Sequence, residues 1–225
     1  MLRFDTTTLM VDRHGGGETV DAKMDLCGGE LVLIHYEKPR MGLTLADACT
    51  GLVHPEKGTV AFLGKDWSDL PPDTANALRG RIGRVFRQGK WLSHLSVMAN
   101  ILLPQLHHTR HSAAELRDEA AAMAVRFRLP GVPAGRPGDL MRADLQRAAC
   151  VRAFIGHPSL IVLEDPTAGK FSVITPELIN VIRWARDYGA TVIWLTLENV
   201  VWRDQTIPAT TRYQMVGRTL MEVAP

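Results

Sequence analysis

Residues 31–58 read LVLIHYEKPRMGLTLADACTGLVHPEKG. Residues 31–34 form an unbroken apolar run, the mark of a strand in a parallel sheet covered on both faces. A loop, an amphipathic helix and the turn Pro55-Glu56-Lys57-Gly58 into another strand follow. Strand, loop, helix and strand in this order frame a phosphate-binding loop of pattern G-x-x-x-x-G-K-[ST]. Counted back from Pro55 and Gly58, the pattern falls on Tyr36, Glu37, Lys38, Pro39, Arg40, Met41, Gly42 and Leu43. None of its required residues is present.

A phosphate loop works through backbone N–H groups that form a concave nest at a helix N-terminus. Glycines permit the dihedrals, a lysine neutralises the phosphates, and a hydroxyl ligates Mg²⁺. Here Pro39 removes a donor, Tyr36 and Met41 replace glycines, Gly42 stands in the lysine position, and Leu43 cannot ligate a metal. Thr44 comes one position late. Lys38 and Arg40 could bring charge from another direction, with Glu37 opposing it. The expectation is a structural loop that holds no nucleotide.

The chain has 225 residues, 46% apolar and 22% charged, enough for one domain with its own core and room for a subdomain. No apolar run approaches the roughly 20 residues of a membrane span, and residues 1–10 lack a signal-peptide order. Cytoplasmic residence is the expectation. Cys27, Cys49 and Cys150 are too scattered for a metal site or a disulfide framework and read as reduced thiols packed as small apolar groups. A net charge of +2 gives no argument for nucleic acid. Arg79, Arg81, Arg84, Arg87 and Lys90 read as a solvated face, and His107, His108 and His111 as an exposed polar loop without metal.

Residues 3–11 and 18–26 alternate polar with apolar around His14-Gly15-Gly16-Gly17, which predicts an antiparallel hairpin. Further strands are expected at 59–63, 81–86, 160–163 and 191–196, with a closing hairpin over 212–216 and 219–223. Helices are expected near 74–79, over 112–128 with Ser112 and Glu115 as a capping box, over 139–155 and over 176–187. Residues 130–138 are a Pro/Gly-rich linker. The whole reads as one domain, 1–225, with a helical insertion over about 90–150.

This order, with GLVHPEKGTVAFLGKDWSDLPP, RIGRVFRQGKWLSHLSVMANILLP and RAFIGHPSLIVLEDPTAG, resembles the nucleotide-binding domains of ABC transporters along almost the whole chain. The run FRQGKWLSHLSVMANILLP resembles most the ATPases of Mla/Mce-type lipid transporters. The fold implied is α/β, of P-loop NTPase type: a mainly parallel core sheet, an N-terminal antiparallel β-subdomain and an inserted helical subdomain. The family's γ-phosphate-sensing glutamine aligns with Arg87, and Gln88 lies one residue on. Its signature Leu-Ser-Gly-Gly-Gln falls on Leu140, Met141, Arg142, Ala143 and Asp144. Its strand-end Asp-Glu pair appears as Glu164-Asp165, exchanged and vestigial, and its histidine aligns with Leu197. The adenine-stacking aromatic, expected near residues 11–14, is absent.

The resemblance with these losses implies a pseudo-ATPase with no catalytic residue and no cofactor. It would be a structural or regulatory subunit, peripheral on the cytoplasmic face of a bacterial inner membrane. Partners implied are a membrane permease and a second cassette subunit or a second copy of the chain. Arg87, Gln88, Trp91, Leu92, Leu95 and Met98 fall where the family docks its permease. Two other readings stay open: an ATPase that still binds ATP and Mg with unorthodox residues, and a free-standing scaffold or regulatory protein.

Overall fold

A computed structural model describes residues 1–11 and 17–223, without the side chains of Lys170 and Phe171. The strands β1 (Leu2–Met10) and β2 (Thr19–Leu26) pair antiparallel, and β3 (Leu31–His35) leads into helix α1 (Pro39–Cys49). Then come β4 (Lys57–Phe62), β5 (Lys65–Asp66), α2 (Pro72–Arg79) and β6 (Ile82–Val85). Three helices follow, α3 (Val97–His108), α4 (Ala113–Arg126) and α5 (Arg142–Phe154), before β7 (Leu160–Glu164). The chain closes with α6 (Thr175–Asp187), β8 (Thr191–Thr196), α7 (Asn199–Arg203), β9 (Thr211–Val216) and β10 (Thr219–Val223).

The described strands form one ten-stranded sheet in the order β5-β4-β1-β2-β10-β9-β3-β8-β7-β6. From β9 to β6 the neighbours run parallel, and from β5 to β2 antiparallel. The expected N-terminal antiparallel β-subdomain is the half of the sheet made by β5, β4, β1 and β2. It is continuous with the parallel half, because β10 lies against both β2 and β9. The expected turn at residues 14–17 lies, except for Gly17, outside the described residues.

Apolar residues of β3 alternate between two cores, Leu31 and Leu33 facing α3–α6 while Val32 and Ile34 face α1 and the hairpin. That explains the unbroken apolar run: both faces of the strand are covered. The insertion is held by local capping. Ser112 accepts from Glu115 N at 3.2 Å and Glu115 Oε2 accepts from Ser112 N at 2.7 Å, the capping box expected at α4. Helix α3 was not legible, because Pro104 interrupts it and its last turn is His107-His108. These histidines end a helix, and do not lie in a loop; only His111 lies past it. Cys49 and Cys150 are buried, which pushes their thiols up to about 12, whereas Cys27 is exposed and does not pack as an apolar group. Among the described residues no helix is long and apolar enough to cross a membrane.

β6 and α5 meet at Gly83, where an added Cβ would stand 1.8 Å from the Ala153 carbonyl oxygen. Backbone cannot yield as a side chain end can. Gly83→Ala is therefore expected to cost about 3 kcal/mol, the upper end for overpacking, read as a lower urea midpoint. An unchanged midpoint would show that β6 and α5 separate freely.

Candidate functional site

The junction of β3 and α1 is where the phosphate loop aligns. Only Tyr36, Glu37 and Lys38 separate His35 from the first residue of α1, Pro39. Pro39 fixes the dihedral of the first helical position, and Lys38 before it is extended, with φ of −108°. Arg40 and Met41 are good helix formers with no glycine between them, and Met41 N already donates to Lys38 O at 2.9 Å. The expected structural loop is thus corrected: Pro39, Arg40, Met41, Gly42, Leu43 and Thr44 are helix.

Tyr36 turns inward over this helix. Its ring lies on Gly42 so closely that a Cβ there would come within 2.4 Å of the ring. Only glycine admits that approach. The Tyr36 hydroxyl donates to Asp165 Oδ2 at 2.6 Å, and burial together with that carboxylate pushes its pKa up, so the proton stays. Lys38 is ion-paired with Glu18 and Thr44 Oγ1 donates to Arg40 O at 2.9 Å, so neither is aimed at an anion. Glu37 is exposed.

Glu164 ends β7 and Asp165 follows it. Arg84, on the neighbouring β6, donates from Nε to Glu164 Oε1 at 2.6 Å, and both side chains are 6% exposed. Its Nη1 reaches Asp47 Oδ1 on α1 at 2.7 Å, and the guanidinium lies 4.6 Å from the Phe86 ring centroid. Arg84 thus leaves the solvated basic face on which the sequence placed it: the period of β6 turns it inward against two carboxylates. Burial raises the pKa of Glu164, with Arg84 opposing.

Asp165 takes a left-handed backbone, with φ of 46°. It accepts from Tyr36 and from Leu197 N at 2.8 Å, and pairs with the Arg87 guanidinium, whose Nε lies 3.3 Å from Oδ2. The two carboxylates are therefore more than the polar exit of a core strand. They anchor an internal network that sequence reasoning missed, although Arg84, Asp47 and Tyr36 were its visible signals.

The six residues given to docking divide. Arg87 is tied to Asp165, and Gln88 is exposed beside it. Trp91 packs under Arg152, 4.5 Å from guanidinium to ring centroid, and Met98 packs against the core. Leu95 is half-buried, which leaves Leu92, 42% exposed, as the apolar side chain that projects. Asn100 fixes this segment, accepting from Leu92 N at 2.8 Å and donating to Leu92 O at 3.1 Å. At the signature position, Met141 precedes α5 and is 72% exposed, while Asp144 pairs with Arg147 at 3.2 Å. Of residues 11–14, only Val11 is described.

A mixed sheet of this order, with strand β3 running through a short junction into α1, defines an α/β protein of P-loop NTPase type. The fold matches the dimeric bacterial ABC transporter cassette MJ0796 with a TM-score of 0.84 over 100% of both chains, at 20% identity. The ABC transporter family matches residues 43–168, more than half the chain, and the protein belongs to that family. Relatives include the macrolide export ATP-binding/permease protein MacB of Syntrophobacter fumaroxidans, 32% identical over 157 residues, 68% of this chain and 22% of that protein. An uncharacterised ABC transporter ATP-binding protein of Mycobacterium tuberculosis is 28% identical over 193 residues, 84% of this chain and 58% of that protein. The chain thus spans less than two thirds of the length of these relatives.

These findings correct the expectation that no cofactor is concerned. The family is one of ATP-binding cassettes, and one structural neighbour is a dimeric cassette bound to ADP and Pi, matched at a TM-score of 0.84 and 21% identity. The residues at the junction do not fit ATP and Mg in the usual grip. The Tyr36 ring fills the cradle over Gly42, the positions of the pattern's lysine and metal-binding hydroxyl are held by Gly42 and Leu43, and both strand-end carboxylates are engaged.

Proposed function

We propose that the chain is an ABC transporter ATP-binding subunit that takes nucleotide but does not turn it over, a structural or regulatory subunit docked on a membrane permease. The observation that carries this is the capture of Glu164 by Arg84 and of Asp165 by Tyr36 and Arg87. Phosphoryl transfer depends on positioned charges that hold a metal and orient water, and both groups for those tasks are spent inside the fold. Nucleotide enters the reading from the cassettes to which the chain is similar, one of which holds ADP and Pi. In this reading the chain is a single cassette domain with α3, α4 and α5 as its inserted subdomain, resident on the cytoplasmic face of a bacterial inner membrane. It pairs with an intact cassette or with a second copy of itself, and Leu92 with its neighbours meets the permease.

The run FRQGKWLSHLSVMANILLP supports a permease of lipid-transporting, Mla/Mce-like type. A second reading, an export permease, is favoured by the MacB relatives, in which ATP-binding and permease parts share one protein. Copurification from membranes, with the permease identified, separates the two.

Each composite site of an ABC dimer joins one subunit's phosphate loop to the other's signature. This chain alters both, so each site of a mixed dimer is impaired. Titrating it against an intact cassette on a reconstituted permease is expected to lower ATP hydrolysis as its share rises. Hydrolysis that climbs in proportion to its occupancy would refute the reading.

A further inference from the structure

The groove between the start of α1 and the segment after β6 has Tyr36 as its floor and Arg40, Arg87, Gln88 and Lys90 around it. Its cavity of about 160 Å³ is several times what one water needs. Three cations line it against one carboxylate, Glu164, which already accepts from Arg84. The donors sit on fixed backbone. Arg152 holds the Gly89 carbonyl at 2.6 Å, Gly89 N donates to Phe86 O at 2.9 Å, and Lys90 N donates to Gln88 O at 2.8 Å. Arg87 meets Asp165 through Nε, and its fork carries further N–H donors. Helix α1 has no acidic residue in its first turn, so the positive end of its dipole adds to the same field.

We propose that this groove is a phosphate-chain site, which holds a phosphoanhydride on Arg87 and Lys90 with Arg40 beside them, outside the cradle that Tyr36 closes. The inference rests on the reading of the chain as an ATP-binding subunit and names where the phosphates of that ligand lie. The chemistry suits either a nucleoside triphosphate or a free polyphosphate. A point charge from lysine and a planar fork from arginine are the two ways proteins hold such oxygens.

Calorimetric titration of the full chain with ATP, with tripolyphosphate and with adenosine tests it, using the wild type, Lys90→Glu and Tyr36→Gly. Lys90 is exposed, so its variant keeps the fold, which its melting curve checks. Expected are binding of ATP and tripolyphosphate, none of adenosine, and a loss of roughly tenfold or more in Lys90→Glu, as for one charged hydrogen bond. Added salt weakens both anions. The ratio of ATP to tripolyphosphate affinity tells a nucleotide site from a general polyanion site. ATP bound without tripolyphosphate, or with equal affinity in Lys90→Glu, overturns the proposal. If Tyr36→Gly tightens ATP while Lys90→Glu changes nothing, the phosphates lie in the cradle, and the subunit reading stands without this site. Binding of neither anion overturns it together with the reading that the chain takes nucleotide, while the ATPase titration on the permease still decides whether it is a structural or regulatory subunit.

Discussion

Arg84→Met is expected to destabilise the protein by about 3–5 kcal/mol, the cost of removing one partner from a buried ion pair. The loss is large because one buried carboxylate is stranded and a second, partly exposed one loses its partner. Glu164, 6% exposed, loses the 2.6 Å contact, and Asp47 loses its own at 2.7 Å. The Glu164 charge then stays in a low-dielectric interior or takes up a proton there, while Asp47, with its side chain 25% exposed, keeps some contact with water. An apolar side chain of similar length keeps the packing, so the cavity term is small. Urea unfolding measures the change, and the double variant Arg84→Met/Glu164→Leu is expected to recover most of it, because replacing both partners is far cheaper than orphaning one. A shift of under about 0.5 kcal/mol in the single variant, the scale of ordinary surface changes, would show that the network holds nothing together.

Restoring the missing lysine alone, Gly42→Lys, is expected to leave ATP hydrolysis at background. The new Cβ would enter within 2.4 Å of the Tyr36 ring, which must leave its place. That displacement breaks the hydroxyl bond to Asp165 at 2.6 Å without creating a metal site, since Leu43 has no side-chain oxygen and Glu164 remains on Arg84. A single preorganised donor is worth about 10²–10³ in rate only where the rest of the constellation stands. Residues that act as a unit are not additive, so one repair yields almost none of the whole. The double variant Tyr36→Gly/Gly42→Lys relieves the clash and is expected to remain inactive for the same reason. Phosphate release from either protein above that of a heat-denatured control would show that the captured carboxylates are no obstacle.

The frame was legible in the sequence because it rests on periodicities. Unbroken apolar strands, the alternating hairpin and the Ser112–Glu115 box each name their structure through local chemistry. What escaped was non-local. The burial of Arg84 depends on which face of β6 is turned toward Asp47 on α1 and Glu164 on β7, and the basic residues around it hid the one that turns inward. Tyr36 read as a failed glycine, whereas its place is set by a carboxylate 129 residues away. Helix α3 was masked by Pro104, a residue that weighs against a helix locally and is outvoted by the packing of Ile101 and Leu102.

The seat of β3 has a consequence for the birth of the protein. Both its sheet neighbours, β8 and β9, are made long after it, and Leu31 N finds its acceptor, Thr210 Oγ1, 179 residues later. During synthesis at roughly 5–20 residues per second, this apolar strand waits many seconds with both edges unpaired. The β1–β2 hairpin can form in that interval and offer its apolar face to Val32 and Ile34, but it cannot pair the edges of β3, from which β10 and β9 separate it in the sheet. Loop closure over such distances is slow and leaves sticky edges open. A nascent chain halted before β8 is thus a natural client for chaperones.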